Sequence, residues 1–371
     1  MGPRRGENPL VTSETARRDV LAGRLFEAAL GAFDILTVHL GLDLGLYEAL
    51  RRDGPATAGE LASRAGMDAR YAREWLEQQA VTGILDVDDA LADSEARRYT
   101  LPDGHAEALL DPDSLAASQA MIRFAVSGAR MAPALVDAYR SGAGIAWDAY
   151  PGLVVAQELA NRPIFKHVLT TDWLPAIPDV QARLASTEGA RVADVGCGTG
   201  YSSLAIARAY PNSVVHGLDI DPGSIQRART NAAAAGLGDH RVRFHLVDAA
   251  RPDLNGQFDL VTIIEAVHDM SDPVAVLAAA RRLLAPGGTA IVVDENVAER
   301  FTAPGDDIER VMYGYSVLFC LANSRVEEGS VATGTVMRPE TLRRYALEAG
   351  FREVTVLPIQ HEVFRLYRLD P

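Results

Sequence analysis

Arg191-Val192-Ala193-Asp194-Val195-Gly196-Cys197-Gly198-Thr199-Gly200 is the stretch that decides the fold. An apolar strand runs into three glycines at two-residue spacing, and the helical segment Tyr201 to Ala209 follows at once. Glycines there let the backbone turn sharply and let a ligand approach the peptide itself. The amino terminus of the following helix adds a field that favours a negative group. A second strand, Val214 to Leu218, ends in Asp219, nineteen residues after Gly200. A carboxylate at that strand tip accepts ribose hydroxyls, as in dinucleotide sites. A nicotinamide fingerprint wants Gly or Ala directly after this loop, where the chain has Tyr201. Asp194, two residues before the first glycine, would repel a pyrophosphate and suits a cationic or amine-bearing ligand. From about Glu188 onward strand and helix alternate, the signature of a parallel sheet.

The Asp-x-Gly-x-Gly-x-Gly loop at 194–200 resembles the first motif of class I S-adenosylmethionine-dependent methyltransferases. Three further segments agree with that family in order and spacing. Val247-Asp248-Ala249 follows the third strand, Phe258-Asp259-Leu260-Val261 opens the fourth, and Leu283-Leu284-Ala285-Pro286-Gly287-Gly288 reads as a helix-to-strand turn before a fifth strand, Thr289 to Val293. Val354 to Ile359 and Glu362 to Leu369 resemble the family's terminal antiparallel hairpin. The resemblance implies an α/β, Rossmann-like sheet that binds S-adenosylmethionine. It implies that Asp194, Gly196, Gly198 and Gly200 cradle the methionine moiety, that Asp219 takes the ribose, and that Ile220 packs on the adenine. Asp248 would face the adenine amino group, with Ala249 beside it, and Glu265 is grouped with these cofactor residues.

The amino-terminal part reads differently. Residues 19–40 carry Val20, Leu21, Leu25, Phe26, Phe33, Leu36 and Leu40, a helical spacing with apolar character on more than one face. Two readings stand, a core helix and a dimerisation arm. A segment Leu42 to Leu50 follows, and Thr57-Ala58-Gly59-Glu60 is a capping box opening a short helix to Ala65. Asp68 is placed to cap a second helix through Gln79, and Val81 to Val87 with Arg98 to Leu101 read as two short strands. Helix, turn, helix and hairpin make a winged helix. The whole chain resembles a bacterial group of small-molecule methyltransferases with such a domain in front. The expected organisation is a winged-helix, dimerising domain at 1–104, a helical linker or lid at 105–184, broken at Pro112, Pro133, Pro151, Pro163, Pro175 and Pro178, and the cofactor-binding domain at 185–371.

His268-Asp269-Met270-Ser271-Asp272 lies just beyond the fourth strand, at the sheet edge where substrates bind. It is similar to the His-Asp-x-x-Asp stretch of winged-helix O-methyltransferases, which implies that His268 deprotonates an acceptor hydroxyl. A histidine suits that work because its unperturbed pKa is near neutrality. Met270 departs from the family's usual aromatic residue, and no second acid is evident to orient the ring. His268 as a helix cap or pocket wall stands beside the catalytic reading. Trp173, Tyr313, Tyr315, His361 and Arg365, with Arg338 and Phe364, are candidates to line an aromatic, partly basic acceptor pocket.

Totals bound the function. The 371 residues carry a formal net charge of −14, which repels nucleic-acid phosphates unless a basic patch overrides it. Residues 1–110 hold twelve arginines against nineteen acids, so the winged helix shares this acidity. The helix 68–79 sets Arg70 and Arg73 against Asp68, Glu74 and Glu77, whereas a groove-entering helix is basic. No uninterrupted apolar run suggests a membrane span. Cys197 and Cys320 form no disulfide framework and sit in no metal-binding pattern, so no metal is expected and a cytoplasmic setting is. The expected activity is methyl transfer from S-adenosylmethionine to oxygen of a small, aromatic or polyketide-like acceptor in secondary metabolism, by a homodimer that ignores DNA. Carbon or nitrogen methylation is the alternative enzyme, in which Glu158 or Glu265 matters more than His268. A cofactor-sensing winged-helix regulator is the alternative from another class.

Overall fold

A computed structural model describes residues 14–252, 254 and 256–371, which fall into two units, the first ending at Leu110 and the second spanning Asp111–Pro371. In the first unit, Thr57 and Glu60 form the expected capping box, each side chain accepting from the other's backbone N–H. Asp68 caps the next helix by accepting from the N–H groups of Arg70 and Tyr71. The elements run α1 (Glu14–Asp43), α2 (Leu46–Asp53), α3 (Ala58–Ala65), α4 (Ala69–Val81), β1 (Asp86–Val87), β2 (Tyr99–Thr100) and α5 (Asp103–Leu110). Helix α2 starts at Leu46 rather than Leu42 because Gly45, at φ 65°, breaks the chain there. The β1–β2 wing is shorter than its apolar letters suggest. The N–H groups of Ile84 and Leu85 both turn back to Gln79 O, so those residues close α4 and never enter a ladder.

Helix α1 buries only Val38, Gly41 and Leu42 among its thirty residues. Gly41 is required there, since a Cβ would lie 2.4 Å from the Trp75 ring. The Trp75 indole N–H donates to Thr37 O at 2.9 Å, fixing that end of the helix. Ahead of it Val20, Phe26 and Phe33 are 73%, 63% and 62% exposed. Contrary to expectation, α1 is long and apolar enough to cross a membrane by length and composition. Alanines and glycines between the larger side chains meet that criterion without an uninterrupted apolar run.

The second unit begins with α6 (Gln119–Ser141), α7 (Leu153–Ile164) and α8 (Pro178–Leu184). Pro133 and Pro163, read as breaks, lie inside α6 and α7, and α7 passes into a π-helical turn, Phe165–Trp173. Pro178 occupies the first turn of α8, where no N–H is needed. The alternating part gives β3 (Arg191–Val195), α9 (Tyr201–Ala209), β4 (Val214–Asp219), α10 (Pro222–Ala234), β5 (Val242–Leu246), β6 (Phe258–Ile264), α11 (Pro273–Leu283) and β7 (Leu284–Glu295). An insertion with α12 (Asp307–Tyr315) and α13 (Leu321–Ser324) precedes α14 (Pro339–Glu348), β8 (Glu353–Val356) and β9 (Phe364–Asp370).

The sheet has the order β5-β4-β3-β6-β7-β9-β8, parallel through β7, with β9 antiparallel to both its neighbours. Segment 284–288, expected as a turn, is already strand. Leu284 pairs with Phe258, and the register then shifts so that Thr289 pairs with Leu260. Side chains alternate across the sheet. Val192, Ile264, Ile291 and Val293 pack with Phe165, Leu169 and Trp173 on one face. Ala193, Val195, Val261 and Val292 pack with Leu277, Leu342 and Tyr367 on the other. Strand order reverses between β3 and β6, so the loops leaving their carboxyl ends part to either side and open a crevice.

Candidate active site

The loop after β3 is held open by its neighbours. Gly196 N and Cys197 N donate to Leu218 O at 2.8 and 3.1 Å, and Gly198 N donates to Asp219 Oδ2 at 2.8 Å. Asp219 Oδ1 accepts from Asp221 N at 2.9 Å, so one carboxylate ties the strand tip to the glycine loop. The three glycines differ in what they do. All have positive φ, but a Cβ at Gly198 would meet nothing within 4 Å, whereas one at Gly200 would lie 2.7 Å from the Phe244 ring. Gly198 leaves room for a ligand; Gly200 leaves room for the core. Gly200→Ala is therefore expected to lower stability by about 1–3 kcal/mol, from backbone strain and overpacking together. Thermal unfolding reads this directly, and an unchanged midpoint would remove the packing role.

Beside the loop lies a cavity of ≈ 1010 Å³ within the second unit. Gly196, Gly198, Asp219, Ile220, Asp248, Ala249 and Glu265 all line it, as do His268 and Tyr315. Asp194 and Gly200 do not. Asp194, expected to cradle a ligand, is buried and accepts from Ser202 Oγ at 2.5 Å, Ser203 Oγ at 2.6 Å and Thr262 Oγ1 at 2.9 Å. Its alternation along β3 points it into the protein, where it pins the start of α9.

Of the seven candidate acceptor residues, Tyr315 and Phe364 line the cavity and the other five do not. Trp173 is buried, edge-on to the rings of His361 and Phe364 at 5.2 and 5.8 Å. Tyr313 Oη accepts from Arg338, whose guanidinium is engaged with Glu309. Arg365 donates to Val297 O at 3.0 Å, and His361 Nδ1 accepts from Val363 N and Phe364 N. Each is consumed by local structure, and the pocket they were to make basic is not basic. Apart from His268, Arg251 is the only cationic side chain on the cavity wall among the described residues. Aromatic lining comes instead from Phe124, Trp147, Tyr315 and Phe319, with Met121 and Met312. The α6 and α7 contributors, among them Gln157, Glu158 and Asn161, lie in the segment expected as a linker or lid, and of these the sequence singles out only Glu158.

His268 sits on a short turn, Val267–Asp269, and is buried. Its Nδ1 lies 3.0 Å from Asp294 Oδ1 and 3.1 Å from Glu295 Oε2, and its Nε2 is 3.5 Å from Asp269 Oδ1. The orienting acids that the local sequence lacked are thus supplied by the end of β7. Pairing of Ile264 with Val293 brings the two strand ends side by side. Burial opposes charge on the ring, but Glu295, Asp269 and Asp294 outweigh it and hold the imidazole pKa well above its ordinary value. Burial likewise pushes Glu295 up, with Asp294 adding to it, while Asp294 is held down by His268 and by hydrogen bonds against the opposing effect of burial. Against the expected ionisation near neutrality, these acids shift the ring's ionisation upward. His268 with Asp269 and Cys320, or with Asp294 and Glu295, also offers donor atoms within 4.8 Å of one another, close enough for a metal ion. Cys320 and β7 are distant in sequence, so no spacing motif announces either group.

Comparison with known proteins places this geometry. Residues 186–328 match a family model described as a methyltransferase domain. That match spans 143 of the 371 residues, and over them the chain is similar to a methyltransferase domain. Residues 32–110 match the Rv2258c-like winged helix-turn-helix domain, so a winged helix stands in front of it. The ubiquinone biosynthesis O-methyltransferase of Paracidovorax citrulli is 39% identical over 105 residues, 28% of this chain and 43% of that protein. This chain therefore spans less than half of that relative. The mitomycin 7-O-methyltransferase structure covers 96% of this chain and 99% of its own at TM-score 0.65 and 23% identity. Human N-acetylserotonin methyltransferase, solved in complex with S-adenosylmethionine, covers 94% of this chain and 97% of its own at TM-score 0.69 and 17% identity. Both share the fold from the winged helix to the terminal hairpin of the methyltransferase domain.

Proposed function

We propose that this protein transfers a methyl group from S-adenosylmethionine to an oxygen of a small aromatic acceptor. The observation that carries the reading is one continuous cavity joining the glycine loop to the His268 cluster. The residues present fit the cofactor. The open face of Gly198 admits the methionine portion, and Asp219 stands at the strand tip where a ribose would be held. Ile220 and Asp248 line the wall on the adenine side. Bound there, the cofactor supplies a methyl group on positively charged sulfur, already a strong electrophile, so the protein's work is alignment and exclusion of water. His268, held by Asp294 and Asp269, lines the same cavity and shapes the wall beside the acceptor.

Aromatic lining with acids and a single arginine favours an acceptor that is flat and carries no negative charge. The mitomycin and N-acetylserotonin enzymes, each named for a small organic compound, support a small-molecule acceptor, and we place the reaction in secondary metabolism. Labelled S-adenosylmethionine offered with a panel of phenols, indoles and aromatic amines tests the reading by mass spectrometry. Methyl ethers are expected; label on carbon or nitrogen alone would overturn the oxygen assignment.

We also infer a homodimer formed through α1, in the cytoplasm and away from DNA. Its large apolar side chains have no partner within the first unit, and those on several sides need one. The arginines of the winged helix are engaged internally, Arg70 with Glu74, Arg73 with Glu95 and Arg97 with Glu77, which leaves little charge for a phosphate backbone. Light scattering should give twice the chain mass for the full protein and a monomer once residues 1–40 are removed. A monomeric full chain, or one that floats with liposomes, would remove the dimer arm, and tight, salt-sensitive binding to duplex DNA would remove the rest.

A further inference from the structure

We propose that Glu265 takes the proton of the acceptor hydroxyl, a step that rests on the methyl-transfer reading above. Glu265 is the first residue beyond β6 and has φ 52°, a left-handed conformation that a glutamate rarely adopts. Such strain persists where the surroundings enforce it, and it gathers at functional sites. Here the enforcing contacts are its N–H, which donates to Val293 O at 2.8 Å, and the next residue, Ala266, which packs against Gly196. The side chain is thereby set on the wall of the cavity that the glycine loop and His268 also line.

Its two carboxyl oxygens are not equivalent. Oε2 accepts from Gln157 Nε2 at 2.9 Å. Oε1 is buried and has no hydrogen-bond partner. A buried carboxyl oxygen without a donor is costly, and an acceptor O–H is a donor of the right kind. The His268 ring is already engaged on both edges, its Nδ1 with Asp294 Oδ1 at 3.0 Å and its Nε2 facing Asp269 Oδ1 at 3.5 Å. The groups facing Glu265 are Gln157 and Asn161 from α7, His268 from its turn, Asp294 from β7 and Tyr315 from α12. Burial, opposed by His268 and by the amide hydrogen bonds, pushes the Glu265 carboxyl up to about 7. Near neutrality it therefore exists in both forms, as a proton acceptor should.

The step balances without a further reagent. The acceptor O–H bond breaks, its proton passes to Glu265 Oε1, and its electron pair stays on oxygen. That oxygen forms the new bond to the methyl carbon as the carbon–sulfur bond breaks with its electrons to sulfur. Glu265 then releases its proton to solvent.

The experiment compares the full-length wild type, Glu265→Gln, Glu265→Asp and His268→Gln between pH 5.5 and 9, with catechol and the other phenols of the panel as probes. Wild-type kcat/KM should rise with pH through about 7, because only the ionised carboxylate accepts a proton. Glu265→Gln should be lower by about a hundredfold or more and flat with pH, while binding S-adenosylhomocysteine within about threefold of wild type, which also shows that it folds. Glu265→Asp should restore part of the rate together with the pH dependence. His268→Gln should keep the ionisation but move it upward, since the cation that lowers the Glu265 pKa is gone. Infrared difference spectra of the S-adenosylhomocysteine complex, with no acceptor present, should show a protonated-carboxyl band that titrates over the same range and is missing in Glu265→Gln. A Glu265→Gln enzyme with the wild-type profile, or a His268→Gln enzyme in which the ionisation disappears, would overturn the assignment. Failure of the wild type to methylate any phenol is a different result. It would bring down the methyl-transfer reading itself, and this assignment with it.

Discussion

Asp219→Ala is expected to weaken S-adenosylhomocysteine binding about a hundredfold, near 2.7 kcal/mol. Two losses combine. The ribose loses its carboxylate acceptor, and Gly198 N loses the partner that holds the glycine loop in its open shape. The first loss alone, a hydrogen bond to a charged group, is worth roughly 1.5–3 kcal/mol. Asp219→Asn separates the two, because it retains one acceptor oxygen for the loop while removing the charge. Calorimetry on both variants should place asparagine between wild type and alanine. Unchanged affinity in a folded alanine variant would mean that the cofactor sits elsewhere.

Asp194→Ala should unfold early. The substitution leaves the hydroxyls of Ser202, Ser203 and Thr262 without their common acceptor in a dry interior. The expected loss is about 3 kcal/mol, which corresponds to roughly 6–12 °C in the unfolding midpoint of a domain of this size. Saturating S-adenosylhomocysteine should raise the variant's midpoint by about as much as it raises that of wild type, because the carboxylate faces the core rather than the ligand. A variant of normal stability with impaired binding would reverse that assignment. Asp194 is thus a fastener of the core, whereas Asp219 stands on the cavity wall.

The fold was legible where local chemistry repeats along the chain. The β3 loop, the α9 limits and the capped α3 and α4 could be read from glycine spacing, side-chain caps and apolar periodicity, and the structure keeps them. The cavity wall was legible only around the glycine loop, because that part is built from consecutive residues at strand tips. The rest draws on α6, α7, α12 and the end of β7, and no periodicity links Gln157 to Glu265 or His268 to Asp294. Arg338, Arg365 and His361 misled for a related reason. A polar side chain near a site in sequence is as easily spent on Glu309, a carbonyl or its own turn as on a ligand. The orphaned oxygen of Glu265 has no sequence signature, since being without a partner is a property of the assembled wall.

The exposed length of α1 has a consequence for how the protein behaves on dilution. If a second copy covers this helix, as the proposed homodimer requires, the stability of the first unit becomes a function of concentration. Halving the number of chains in a volume then weakens each of them, with no residue changed. At low occupancy the uncovered Val20, Leu25, Phe26 and Phe33 become sticky surface, and assays run at nanomolar enzyme should lose activity with time on vessel walls. Carrier protein or mild detergent would restore it, and purified stocks should keep best when they are most concentrated.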